Sequence, residues 1–159
     1  MNEKRAVVPI DYSPVSNEVI RKADEFALDH DVELFFLYVQ ETPEMMNVSA
    51  VGGGYYSTSS DYESRLRHST KQVEELEQQL RQRVRENHVK SPNQIRIDFG
   101  KPYVKILELC EGLMASTLIM ASHSQTMAGG LIFGSNTDYL LHHAHCSMYI
   151  LKNYELDNL

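Results

Sequence analysis

Short apolar runs alternate along the chain with longer segments whose apolar residues recur at helical spacing. The apolar or alternating runs predict five strands, at Ala6–Ile10, Val32–Val39, Gln94–Phe99, Leu118–Met120 and Ser147–Lys152. The strands alternate with segments of helical spacing, and parallel strands are joined by right-handed crossovers through helices. This order therefore predicts an α/β fold with one parallel sheet and helices on both faces.

Four segments between these runs carry the helical spacing. The first follows Ser13 and runs to about His30, the second spans Asp61 to about His88, the third opens after Gly100, and the fourth begins at Ser135. Ser135 and Asp138 stand in the arrangement of a capping box, which predicts side-chain hydrogen bonds at the start of the fourth helix.

The stretch from Gln40 to Ser60 interrupts this alternation. It carries the glycines Gly52–Gly54 and a run of serine and threonine from Ser57, and it is not a P-loop because no Gly-Lys-Ser/Thr follows the glycines. A stretch of this length without periodicity predicts a mobile surface loop, and a lid over a ligand is the alternative. The whole chain, residues 1–159, is interpreted as one domain.

The composition excludes several classes of protein. The 159 residues carry a formal net charge of −7, and an acidic chain without a basic stripe is a poor candidate for binding nucleic acid. No apolar run reaches the ~20 residues of a membrane span, and no secretory signal is recognisable. Cys110 and Cys146 lie far apart in apolar surroundings without metal-type spacing, which predicts buried free thiols in a cytoplasmic protein.

Most of the candidate chemistry lies between Thr117 and Ser135. The short apolar run Leu118–Met120 gives way to small and polar residues that end in Gly134-Ser135, where a helical pattern begins. This is the order strand, turn, helix N-terminus. It places unpaired N–H groups and the positive end of a helix dipole at the carboxyl edge of a sheet. The stretch therefore predicts a site for an anionic ligand.

Three segments along the chain carry a family pattern. They are V-V-P-I-D-Y-S at Val7–Ser13, L-I-M-A-S-H-S followed by G-S within Leu118–Ser135, and H-A-H-C-S-M-Y-I-L at His143–Leu151. In this order they resemble the universal stress protein family over nearly the whole chain. The resemblance implies a Rossmann-like, five-stranded parallel sheet of order 3-2-1-4-5. It also implies homodimers that pair the last strand, Ser147–Lys152, across a two-fold axis.

Nucleotide-binding members of this family carry the motif G-x2-G-x9-G-(S/T) after the fourth strand. The same spacing here reads Ala121-x2-Ser124-x9-Gly134-Ser135, so the last pair is kept and the first two glycines are replaced. Ala121 adds one methyl group, and Ser124 adds a hydroxyl that can donate to a phosphate. The resemblance implies a nucleotide-dependent regulator in the stress response that binds ATP or AMP, with Mg²⁺ as the divalent cation at the phosphates.

Eight residues form the candidate nucleotide site by this resemblance: Asp11, Val39, Ala121, Ser122, His123, Ser124, Gly134 and Ser135. Asp11 would contact the adenosine part of the ligand, and it also suits an Asx turn or a helix cap next to Ser13. Val39 would line the adenine, or belong simply to the core. His123 would donate to a phosphate when protonated, or face solvent as an ordinary loop residue.

Two other functions stay open. One is a protein of the same fold that binds no nucleotide and recognises another protein, which the replaced glycines favour; the other is a weak ATP hydrolase. No catalytic arrangement stands out, because the adjacent Ser122, His123 and Ser124 are not a triad and no orienting acid can be assigned. The helical pair His142 and His145 lacks a carboxylate or cysteine that would complete a metal site.

Overall fold

A computed structural model of the chain describes the backbone of residues 4–41, 59–122, 125–127, 130–132 and 134–152, and the side chains of 4–41, 70–122 and 134–151. Its helices and strands are, in chain order, β1 Lys4–Pro9, α1 Val15–His30, β2 Val32–Gln40, α2 Ser59–Glu86, β3 Asn93–Phe99, α3 Pro102–Leu113, β4 Thr117–Ser122, β5 Gln125–Met127, β6 Gly130–Ile132, α4 Ser135–His143 and β7 Ser147–Lys152. The predicted strands and helices all lie within one to three residues of these bounds.

Five of the strands form one parallel sheet in the order β3-β2-β1-β4-β7. Because β7 is the fifth strand of this sheet, the predicted order 3-2-1-4-5 is confirmed. β1 lies at the centre, between β2 and β4. After β1 the chain continues to β2 on one side of it, whereas after β4 it continues to β7 on the opposite side. A crevice is therefore expected beyond the carboxyl ends of β1 and β4.

The sheet separates two apolar clusters, as expected for a parallel sheet that helices cover on both faces. One cluster joins β1, β2 and β4 to α1 and the end of α2, and it includes Val8, Ile20 and Leu80. The other joins the opposite face of the sheet to α3 and α4, and it includes Leu118 and Leu140. All five of these side chains are 1% exposed or less, so both faces of the central strands are fully covered.

Helix α2 is the longest element, and its second half packs against the sheet. It begins at Ser59 and ends at Glu86, slightly earlier at both ends than the pattern predicted. Leu80 and Val84 are buried on the sheet side, while Arg81, Arg85 and Glu86 are exposed, which is the predicted amphipathic arrangement. Within the described ranges, no helix combines the length and the apolar character needed to cross a membrane. Residues 42–58 of the predicted mobile loop lie outside the described residues.

A small hairpin stands where a turn was expected between the fourth sheet strand and the last helix. β5 and β6 pair as antiparallel strands, with Met127 opposite Gly130 and Gln125 opposite Ile132. Each strand has only three residues. A run this short is below the length at which alternation of apolar and polar residues can be recognised, which is why the pattern did not predict it.

Candidate functional site

A cleft of about 380 Å³ opens at the carboxyl edge of the sheet, where β1, β2 and β4 end and α1, α3 and α4 begin. Three of the predicted site residues line it: Asp11, Val39 and Ala121. The start of α4 contributes Asn136 and Thr137 to the wall. The cleft therefore lies at the crevice expected from the strand order, and helix N-termini border it.

Asp11 fixes the loop that joins β1 to α1. Its Oδ1 accepts hydrogen bonds from the Ser13 N–H at 2.8 Å, from the Ser16 hydroxyl at 2.7 Å and from the Ser13 hydroxyl. The Ser16 hydroxyl also accepts the Asp11 N–H at 3.1 Å. This is the Asx turn that the sequence offered as one of two roles for Asp11. Because Asp11 also lines the cleft, the turn holds the carboxylate at the cleft wall.

Arg83 of α2 clamps the same loop from the other side. Its Nη1 donates to the Asp11 carbonyl at 3.0 Å, its Nη2 to the Ser13 carbonyl at 2.6 Å, and its Nε to Asn17 Oδ1 at 3.0 Å. Sequence reasoning missed this residue, because about seventy positions separate it from its partners and it looked like one more charge on an amphipathic helix. The loop that carries Asp11 is thus held by side chains from α1 and α2.

The backbone N–H and C=O of Val39 face the cleft. In a parallel sheet, alternate residues of a strand bond to opposite neighbours. The Leu37 carbonyl accepts from the Ile10 N–H at 2.8 Å on the β1 side, whereas the Gln40 carbonyl accepts from the Gly100 N–H at 3.0 Å on the β3 side. Val39 is two residues beyond Leu37, so its N–H and C=O turn toward β1, at a level where β1 has already ended.

Two tyrosines that sequence reasoning did not single out form part of the wall. The rings of Tyr12 and Tyr38 lie 4.6 Å apart, tilted by 54°, and both line the cleft. The Tyr38 hydroxyl donates to Gln40 Oε1 at 3.1 Å. Partial burial raises the pKa of both phenols above the ordinary value, so both stay neutral at physiological pH. The only sequence signal was their place, one at the end of each of two neighbouring strands.

The end of β4 brings one predicted residue into the cleft and turns another away from it. Ala121 lines the cleft, whereas Ser122 is fully buried and its hydroxyl donates to the Leu151 carbonyl of β7 at 3.4 Å. The alternation of side chains along a strand accounts for the difference. His123 and Ser124 lie outside the described residues.

Helix α4 begins at Ser135, as predicted, and Gly134 is its N-cap residue, with φ −59° and ψ 155°. The predicted capping box of Ser135 and Asp138 is wrong, since no side chain hydrogen-bonds to the start of this helix. Ser135 is already the first helical residue, one position past the N-cap that the motif requires. The Asp138 carboxylate instead lies 3.8 Å from His142 Nε2, one turn along the helix.

The two cysteines meet at the opposite edge of the sheet. Cys110 lies in the last turn of α3, Cys146 lies just before β7, and both are free thiols in the same apolar cluster. A hydrogen bond from the Cys110 thiol lowers the pKa of Cys146 to about 7, and the same bond together with burial raises the pKa of Cys110. Within the described part of the chain, no three His, Cys, Asp or Glu side chains are grouped to hold a metal ion.

The comparison with known protein families agrees with this fold. The family model for the universal stress protein family matches residues 3–152. The chain belongs to this family. Among its relatives, universal stress protein MJ0531 of Methanocaldococcus jannaschii is 22% identical over 149 residues, which cover 94% of this chain and 82% of the relative.

Two solved universal stress protein structures share the fold and hold adenine ligands. One, in complex with cAMP, superposes with a TM-score of 0.63 at 13% identity and covers 96% of this chain and 98% of its own. The other, from Archaeoglobus fulgidus in complex with dAMP, has a TM-score of 0.53 at 16% identity and covers 94% of this chain and 98% of its own. At these identities, the likeness establishes the fold alone.

Proposed function

We propose that this universal stress protein binds an adenine nucleotide in the cleft at the carboxyl edge of the sheet and acts as a nucleotide-dependent regulator in the stress response. The observation that carries the proposal is the position of Val39. Its backbone N–H and C=O turn toward a cleft that Asp11 also lines. The cAMP and dAMP bound by two relatives of the same fold support the class of ligand.

The chemistry of the wall suits the parts of a nucleotide. An adenine edge presents an acceptor nitrogen beside an amino donor, which matches the N–H and C=O of Val39. The Asp11 carboxylate can accept hydrogen bonds from ribose hydroxyls. The phosphate would lie toward the end of β4 and the start of α4, near Ala121, Gly134 and Ser135, where helix N–H groups are available.

The remaining predicted residues belong to the phosphate end of this proposal. His123 and Ser124 would act there, and Mg²⁺ would accompany ATP. Ser122 would contribute through its backbone, since its hydroxyl is already bonded to Leu151. The segment around residues 40–60 would change its order when the nucleotide binds.

The first test is to purify the protein without added nucleotide, denature it, and identify released small molecules by mass spectrometry. Calorimetric titration with AMP and ATP then measures affinity. We expect a dissociation constant tighter than about 100 μM (about −5.5 kcal/mol) for at least one of them. If no nucleotide co-purifies and no heat of binding is detected, the proposal is overturned, and the alternative in which the protein recognises another protein is favoured.

A steric variant shows whether the cleft is the site. Ala121→Leu adds three carbons to a buried residue that lines the cleft, so we expect affinity to fall at least tenfold when it is measured at a temperature where the variant is folded. Ala144→Leu makes the same change at a half-buried position just after α4, away from the cleft, and should leave affinity unchanged. Equal effects of the two variants would place the ligand elsewhere.

We also propose a homodimer through β7 and a cytoplasmic location. Among the described strands β7 pairs only with β4, so its other edge is available for pairing with a second copy. The contact between the free thiols of Cys110 and Cys146 suits a reducing compartment. Light scattering after size-exclusion chromatography should give the mass of a dimer, and a strict monomer would exclude pairing of β7.

Hydrolysis of ATP is the remaining alternative. The Asp11 carboxylate at the cleft wall is the candidate for positioning a water molecule. Phosphate release from ATP by the purified protein, lost in Asp11→Ala, would support hydrolysis. The same rate in both proteins would exclude it.

A further inference from the structure

We infer that the cleft selects an adenine ligand of low negative charge, a nucleoside or a nucleotide with a single phosphate, over a diphosphate or triphosphate. This inference rests on the proposed function, and it narrows the class of ligand that the same cleft takes. It is carried by the distribution of charge around the cleft, which differs from that of a polyphosphate site.

Among the described residues that line the cleft, two carry carboxylates and none is a lysine or an arginine. Asp11 lies at the end of β1, and Glu41 follows the end of β2 with an exposed side chain. The other lining groups are apolar side chains, hydroxyls and amides. On these described residues a phosphate chain therefore meets two negative charges and neutral donors. The repulsion is strongest at the half-buried Asp11, where water is partly excluded, and weaker at the exposed Glu41.

In the described part of the chain, Arg83 and Lys105 lie next to lining residues, and their donors are already used by other partners. Two guanidinium nitrogens of Arg83 donate to carbonyls of the loop that follows β1, and the third donates to Asn17 of α1. Lys105 Nζ donates to Glu108 at 2.8 Å and lies 3.9 Å from Asp98. Lys101 precedes the lining residue Pro102, and its exposed charge is weakened by water and salt.

The sequence shows the same lack of lysine and arginine along the motif from Ala121 to Ser135, where the phosphate would bind. Between Lys105 and Lys152 the chain has neither lysine nor arginine, so the stretch from Ala121 to Ser135 can offer a phosphate only backbone N–H groups, hydroxyls, an amide and one imidazole. Polyphosphate sites such as the P-loop add a lysine that reaches the outer phosphates. One phosphate at the start of a helix needs no such cation.

The test is a calorimetric series with adenosine, AMP, ADP and ATP, each measured with and without Mg²⁺. We expect adenosine or AMP to bind at least tenfold more tightly than ATP, with ADP between them. If ATP binds as tightly as AMP or more so, the inference is wrong and the proposed function stands. If none of the four binds, the proposed function fails together with the inference.

A charge variant tests the cause. Glu41→Gln removes one of the two carboxylates without changing its size, so ATP should bind about threefold more tightly while the affinity for adenosine stays the same. Glu111→Gln makes the same change on an exposed residue at the far end of α3 and should alter neither affinity. Equal affinity for ATP in the wild type and Glu41→Gln would overturn the electrostatic explanation.

Discussion

Two aspartates perform the same task at opposite edges of the sheet. At the carboxyl edge, the Asp11 carboxylate accepts from the Ser13 N–H and from the hydroxyls of Ser13 and Ser16. At the amino edge, the Asp24 carboxylate accepts from the Ser91 N–H at 2.8 Å and from the Ser91 hydroxyl at 2.5 Å. Each aspartate thus fixes a loop through at least one backbone N–H and at least one hydroxyl donor.

The surroundings of the two carboxylates differ. Ser91 is buried beside Asp24, and the loop there passes directly into β3, with the Pro92 carbonyl accepting the Leu34 N–H at 2.9 Å. Asp11 has the cleft next to it. An aspartate that holds a loop is therefore a candidate ligand contact only where an open cleft lies beside the loop, and the hydrogen bonds by themselves do not reveal function.

The largest expected effect separates these two roles. Asp24→Ala leaves buried donors of the Ser91 loop without an acceptor, so the free energy of unfolding should fall by about 2–3 kcal/mol while nucleotide affinity is unchanged. Asp11→Ala should lower stability by a similar amount and also reduce nucleotide affinity at least tenfold. Urea denaturation measures the first effect and calorimetry the second.

Two results would break the comparison between the aspartates. If Asp24→Ala weakens nucleotide binding as much as Asp11→Ala does, the loss reflects general loosening of the fold and Asp11 has no special role. If Asp11→Ala keeps full affinity, the carboxylate serves only the Asx turn. Measurements at a temperature where both variants are fully folded keep these outcomes apart.

Arg83 gives the next largest effect. Arg83→Ala removes two hydrogen bonds to the loop after β1 and one to Asn17 of α1, and we expect a loss of about 2 kcal/mol in stability. Arg81→Ala is the matched control on the same helix. The exposed Arg81 pairs with Glu77 one turn away, so its loss should cost less than about 0.5 kcal/mol. Similar losses for the two variants in urea denaturation would show that Arg83 does not clamp the loop.

Two serine variants make a smaller and finer contrast. Ser91→Ala removes a donor to Asp24 and should cost about 1 kcal/mol. Ser16→Ala should cost more, up to about 2 kcal/mol, because the Ser16 hydroxyl both donates to the Asp11 carboxylate and accepts the Asp11 N–H. Thermal unfolding of the two variants under the same conditions measures the difference. The opposite order would mean that the Asp11 N–H finds water as a substitute partner.

The sequence predicted the main sheet because its strands and helices carry strong local signals. Ala6, Val7 and Val8 form an apolar run because β1 is buried on both faces, and Leu80 and Val84 repeat at helical spacing because α2 packs on the sheet. The hairpin of β5 and β6 was missed because three-residue strands leave no measurable period. The capping box failed because Ser135 lies one position past the N-cap.

The site was only partly predictable, for a different reason. Asp11 and Ala121 stand at strand ends, and strand ends share an edge in any parallel sheet, so their place at the cleft followed from the order of elements. Arg83 and the Tyr12–Tyr38 pair depend on contacts between distant segments, for which one sequence carries no signal. The side to which Ser122 turns depends on the register of β4, which a short run does not fix.

The last and smallest prediction concerns the amino edge. Because the Cys110 thiol holds the pKa of Cys146 near 7, alkylation of Cys146 by iodoacetamide should speed up as pH rises through 7, where the reactive thiolate forms. Cys110→Ala removes that donor, so the midpoint should move up toward the ordinary 9.0. Labelling should leave nucleotide affinity unchanged, since the thiols lie across the sheet from the cleft. Lost affinity after labelling would mean that the two edges are coupled, and a wild-type midpoint close to 9 would mean that the two thiols do not share a hydrogen bond.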